Sequence, residues 1–190
     1  MTTDLRISKT KDAIRSTFLN ILAQKNFEQI TVAELSKEAN ISRKTFYAHY
    51  LDKYDLVEKI EAEMSDEFSK RLCKLNPNQM PITISEEEAI KRLLPLLDFI
   101  EENLDFFELV AEKKIGFSWY EDVMGTYIDE LSNSLYCQNN SWIDYQKDVI
   151  KALSASNWNR WVKTGRQESK EDFARWMVNT NRNFFFNYGQ

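Results

Sequence analysis

The chain has 190 residues, with 25 Lys and Arg against 30 Asp and Glu, for a formal net charge of −5. A single histidine, His49, and the lack of any G-x-S-x-G, P-loop or G-x-G-x-x-G stretch argue against an enzyme, a metal site or a cofactor site. Only 4 Gly and 3 Pro punctuate the sequence, which predicts an all-α fold, about nine helices in all.

Compartment and partners follow from similar arguments. No apolar run approaches the roughly 18 residues that a membrane span needs. The opening Met1-Thr-Thr-Asp-Leu-Arg has no apolar signal core, so the chain is expected in the cytoplasm. There Cys73 and Cys137 read as two lone thiols, not a disulfide. Charge is unevenly placed. Residues 1–60 hold ten basic against eight acidic side chains, net +2, and the remainder carries net −7. A mildly basic head on an acidic body suits a nucleic-acid reader whose body is repelled from the polyanion.

The first predicted helix runs from about Lys9 to Lys25. Ile14, Phe18, Ile21 and Leu22 recur at helical spacing and form its core face. Thr31-Val-Ala-Glu34 is a capping box that opens a second, short helix whose apolar face is Val32, Leu35 and Ala39. Asn40-Ile41-Ser42 breaks it: Asn tolerates the left-handed backbone that ends helices, and Ser42 is a good N-cap. A third helix follows from Arg43 to about Tyr50. At roughly 100° per residue, Arg43, Lys44, Tyr47 and Ala48 share one face, and Phe46 and Tyr50 share another. Two helices joined by so short a turn, the second with a basic, hydrogen-bonding face, form a helix-turn-helix over Thr31–Tyr50. That face is expected to enter the major groove of DNA, with the first helix completing a trihelical unit.

Asp52 is the expected N-cap of a long helix to about Leu75, striped by Leu56, Ile60, Met64, Phe68 and Leu72. At about 1.5 Å per residue it spans roughly 33 Å, from the DNA-reading unit into the body. Asn76–Pro81 is a linker with two prolines. Ser85-Glu-Glu-Glu88 opens the next helix, in which Pro95 predicts a kink or break near Leu93–Pro95. A shorter helix is expected over Leu104–Lys114. Ser118 and Ser141 open helices of about 119–135 and 142–164, Gly165 stands at a C-cap position, and Ser169 opens a last helix to about Phe186.

Thr45-Phe46-Tyr47-Ala48-His49-Tyr50-Leu51-Asp52-Lys53-Tyr54-Asp55-Leu56 resembles the signature T-x-Y-x-H-F/Y-x-x-K-x-x-L of TetR/AcrR-family transcriptional regulators. Tyr50 stands where Phe is commoner. The resemblance covers Ser8–Phe68. It implies a DNA-binding domain over 8–68 and a helical regulatory and dimerisation domain over 76–190. In such proteins the recognition helix supplies base contacts, which here fall on Arg43, Lys44 and Tyr47. Thr31, Ser42, Thr45, Tyr47, His49 and Lys53 match positions that hold phosphates. TetR-like proteins dimerise through their last two long helices, which places a homodimer seam on Trp158, Trp161, Val162, Phe173, Trp176, Met177, Thr180 and Phe184. The implied function is a homodimeric repressor released from a pseudo-palindromic double-stranded operator by a small-molecule ligand. Phe99, Phe106, Phe107, Phe117, Trp119 and Tyr120 are candidates to line an apolar ligand pocket, with core packing the alternative reading. The body resembles the family only loosely. Two other readings stand beside this one: an architectural DNA binder without inducer, and a regulator or activator controlled by a protein docking on the body.

Overall fold

The structure is a computed structural model that describes residues 2–73, 84–115, 123, 125 and 143–188. Among the described residues there are eight α-helices and no strand. The head comprises α1 (Thr2–Gln24), a 3₁₀ turn (Phe27–Gln29), α2 (Val32–Glu38), α3 (Arg43–Tyr47) and the start of α4 (Lys53–Cys73). The body comprises α5 (Glu86–Glu102), α6 (Leu104–Ala111), α7 (Ile143–Lys163) and α8 (Lys170–Tyr188).

Local chemistry sets most of these ends. The hydroxyls of Thr31, Ser42, Ser85 and Ser169 accept from the backbone N–H groups of Glu34, Thr45, Glu88 and Asp172, at 3.0–3.2 Å. Asp52 Oδ1 accepts from the N–H groups of Tyr54 and Asp55 and so starts α4. Asn40 takes the left-handed conformation at φ 53°, and the Ile41 N–H closes back on the Ser36 carbonyl, which stops α2. Gly165, at φ 73°, does the same for α7, where the Arg166 N–H reaches the Trp161 carbonyl.

Three expectations are corrected. α1 begins seven residues earlier than the core stripe suggested, since no Gly or Pro interrupts the run from Thr2. α3 is one turn shorter, because Ala48 and His49 tighten the chain through bonds to Lys44, Phe46 and their neighbours. α5 runs through Pro95 without a break, which removes the second of the two expected outcomes, a kink or a break. Pro95 is exposed, and the carbonyl it orphans belongs to the exposed Lys91, where water can serve it. The linker at 76–81, and the predicted helix over 119–135 apart from residues 123 and 125, lie outside the described residues.

One buried core runs through head and body. Ile14, Phe18 and Leu22 of α1 meet Ile30, Leu35, Phe46, Tyr50, Leu56 and Ile60 in the head. The stripe on α4 then continues as Met64, Phe68 and Leu72, and Phe68 meets Phe107 of α6 at 6.2 Å between ring centroids. In the body α5 packs on α8 and α6 on α7, while α6 also lies along α1. Trp158 and Trp161 of α7 and Phe173 of α8 form an aromatic cluster, with Trp161 stacked on Phe173 at 4.6 Å and 3°. No helix among the described residues is long and apolar enough to cross a membrane.

Candidate nucleic-acid interface

The recognition face is created by what lies behind it. Phe46 is fully buried and Tyr50 nearly so, and their rings stand 5.5 Å apart. With these two anchored in the head's core, the helical period turns Arg43, Lys44, Tyr47 and Ala48 outward, and all four are exposed. Tyr47 is 56 % exposed, its ring edge-on to Phe46. Neither Arg43 nor Lys44 makes an ion pair among the described residues, so both cations project unneutralised from a helix of only five residues. This is the arrangement a groove reader needs: rigid behind, hydrogen-bonding in front.

The hydroxyl-bearing residues cluster at the two helix starts. Thr31 and Ser42 are exposed, and their side chains cap α2 and α3. Thr45, half-buried, lies 2.8 Å from the Ser42 hydroxyl. His49 is half-buried beside Tyr50, and its carbonyl accepts from Lys59. The reciprocal half of the first capping box is not made. Glu34 instead meets Lys25 at 2.5 Å, tying α2 to the end of α1.

Lys53, expected at a phosphate, is engaged within the head. Its ammonium donates to the Phe27 carbonyl at 3.0 Å and the Glu28 carbonyl at 3.1 Å, and lies 4.6 Å from the centre of the Phe27 ring. The side chain is 14 % exposed. Two of its three N–H groups thus close the 3₁₀ turn onto α4, so Lys53 braces the head from within. The cause is the Phe27–Gln29 turn, which places the Phe27 and Glu28 carbonyls within reach of the first residue of α4, the former also accepting from the Ile30 N–H.

Burial pushes the Tyr50 phenol up to about 12, helped by the charges of Glu63, Asp55 and Asp12 and opposed by Arg15. Tyr50 therefore remains a neutral, packed ring behind the recognition helix at any ordinary pH.

In the body, Phe99, Phe106 and Phe107 are buried against one another, with centroids 5.4–5.9 Å apart. Their rings pack in the core. Phe117, Trp119 and Tyr120 lie outside the described residues. A cavity of about 460 Å³ is lined by Asn157, Arg160, Trp161, Glu168, Asp172, Phe173 and Trp176. Of the expected seam residues, Trp158, Trp161, Val162, Phe173 and Met177 are buried within the single chain, and Thr180 is half-buried. Only Trp176, at 48 %, stands out, and the Phe184 side chain is not among those described. The exposed apolar groups on this side are Tyr145, Val149 and Leu153, at four-residue spacing along α7. That stripe was legible in the sequence and was overshadowed by the larger tryptophans. Among the described residues no group of three or more His, Cys, Asp or Glu is placed to hold a metal.

Comparison with known proteins bears on the helix-turn-helix segment and on the fold. Residues 14–60 match the model of the family described as bacterial regulatory proteins, tetR family. The uncharacterized HTH-type transcriptional regulator YxbF of Bacillus subtilis (strain 168) is 31 % identical over 96 residues, which cover 50 % of this chain and 24 % of that protein. The match thus spans about a quarter of that relative's length. Among solved structures, a tetR-family transcriptional regulator from Streptomyces coelicolor aligns with a TM-score of 0.68 at 16 % identity, covering 93 % of this chain and 83 % of that one. The dihydroxyacetone kinase operon activator DhaS aligns with a TM-score of 0.59 at 18 % identity, covering 90 % and 93 %. At such identities the two structures report a shared fold.

Proposed function

Since this chain belongs to the tetR family of bacterial regulatory proteins through residues 14–60, we propose that it regulates transcription by binding a pseudo-palindromic operator as a homodimer. The observation that carries the reading is the unneutralised Arg43–Lys44–Tyr47 face, held outward by buried Phe46 and Tyr50. Arg43 and Lys44 read guanine O6 and N7, where a good bidentate contact discriminates by about 1–3 kcal/mol. Thr31, Ser42, Thr45, Tyr47 and His49 position the unit on phosphates.

The dimer seam runs along Tyr145, Val149 and Leu153 of α7 and takes in Trp176 of α8. An apolar stripe of four large side chains on neighbouring helices is the kind of surface a second copy buries, and an isologous α7–α8 pair gives a four-helix bundle. The two recognition helices then stand about 34–36 Å apart, one turn of DNA. The mode of action is repression. A small molecule in the body relieves it by binding the conformation with the wrong spacing more tightly than the operator-competent one.

The test is to incubate the purified protein with fragmented genomic DNA and sequence what it retains. One or a few palindromes beside promoters is the expected result, with base preference relaxed in Arg43→Ala and Lys44→Ala. Dispersed sites without a palindrome would replace this reading with the architectural one. Unchanged DNA affinity in both variants would sink the assignment of this face.

A further inference from the structure

Four residues at the end of α5 gather the rest of the molecule. Three cations from three other helices converge on the stretch Asp98–Asn103. Arg15 of α1 donates to Asn103 Oδ1 at 3.0 Å, with Met64 Sδ of α4 also 3.0 Å away. Arg71 of α4 lies over the Phe99 ring, 4.2 Å from its centre. Lys170 of α8 pairs with Asp98, and with Glu101 at 3.6 Å. The C-terminal end of α5 favours cations by its dipole as well.

Asn103 is the hinge pin of this corner. It stands at the N-cap of α6, yet its side chain does not cap that helix. Its Oδ1 goes to Arg15 and its Nδ2 donates to the Phe99 carbonyl at 2.9 Å. The Asp105 carboxylate accepts from the Phe106 N–H, serving the start of α6 in its place. At the other end of α6, Lys114 donates to the Ala23 carbonyl at 2.7 Å, in the last turn of α1. α6 is therefore pinned to α1 at both ends, and α5 is pinned to α8 beside the first pin. These bonds, with the shared core, tie α1, which backs the head, to α5 and α6 of the body.

We propose that Arg15 and Asn103, with Lys170 on the opposite side of the same corner, are positioning residues that fix the orientation of the DNA-reading head relative to the α7–α8 pair. Through that orientation they set the operator half-site spacing that the protein accepts. The mechanical part stands on the bonds just described, and the spacing part rests on the operator reading.

The test uses the full chain with Cys73→Ser and Cys137→Ser, and spin labels on Glu38→Cys in the head and Ser156→Cys in the body, neither of them buried. Pulsed electron spin resonance reads the distance distribution between them. Asn103→Leu and Arg15→Met should broaden it at least twofold, and Lys170→Met should broaden it too. Asn103→Asp, which keeps an acceptor for Arg15, should leave it narrow. On operators whose spacing is changed by two base pairs, the unsubstituted protein should lose at least tenfold in affinity and Asn103→Leu less than threefold. An unchanged distribution in folded Asn103→Leu and Lys170→Met would overturn the proposal. So would equal broadening by Asn103→Asp, which would mark a general loosening. A broadened distribution in a protein that prefers no operator would uphold the corner and overturn the DNA reading.

Discussion

Replacing Lys53 with Ala separates its two roles. The substitution removes two ammonium-to-carbonyl hydrogen bonds and the cation's approach to the Phe27 ring. Hydrogen bonds from a charged group contribute about 1.5–3 kcal/mol each where no water replaces them. Glu28 is exposed, so its carbonyl regains water and most of that bond's worth is returned. The Phe27 carbonyl belongs to a half-buried residue and regains less. The cation–ring interaction adds about 0.5–1 kcal/mol. The net loss is about 2 kcal/mol, or a fall of about 4–8 °C in Tm for a chain of this size. Urea and thermal unfolding of the full chain measure it. Salt dependence of operator binding supplies the second axis, because each phosphate that goes without its cation lowers the slope of log K against log salt by about 0.9. The brace predicts a destabilised protein with an unchanged slope. A protein of full stability with a slope reduced by about one unit would refute the reasoning and return Lys53 to the phosphate.

Ser42→Ala removes the acceptor for the Thr45 N–H and should cost about 1 kcal/mol in urea unfolding, with a larger loss in DNA affinity because the five-residue recognition helix frays from its start. Tyr50, with its phenol raised to about 12, contributes stability that is complete below pH 10 and lost as pH rises from 10 through 12, since only the folded state resists ionising it. Unfolding free energies of the unsubstituted protein and Tyr50→Phe should therefore diverge above pH 10, and parallel curves would count against burial as the cause. Leu153→Glu places a charge at the C-terminal end of the α7 stripe and should yield a monomer in sedimentation while leaving helicity intact. A stable dimer in that variant would move the seam elsewhere.

The recognition unit was legible in the sequence because each of its signals is local. A capping hydroxyl bonds an N–H three residues on, Asn40 needs only its own backbone to turn left-handed, and the 3.6 period alone sorts Phe46 and Tyr50 from Arg43, Lys44 and Tyr47. The boundaries failed where competition was tertiary. Pro95 predicts a break if its orphaned carbonyl is buried, and only the packed structure says that Lys91 faces solvent. The body was harder for the same reason. A run of aromatics reads equally as pocket, seam or core, and the difference lies in which neighbours arrive: Phe99, Phe106 and Phe107 find one another, and Trp158, Trp161 and Phe173 do likewise.

Pairings between residues far apart in the chain were invisible to any pattern, and they decide what the charged side chains do. Lys53 lies 26 residues from the carbonyl of Phe27 that it serves, Arg15 lies 88 from Asn103, and Lys170 lies 72 from Asp98. In all three cases the basic side chain is met by an acceptor of the protein itself. The cations left unspent on the recognition helix, Arg43 and Lys44, are then a sharper signal than their presence in a motif. They stand on a five-residue helix that is anchored from behind by buried Phe46, and that anchoring holds both cations outward, where a partner outside the chain can meet them.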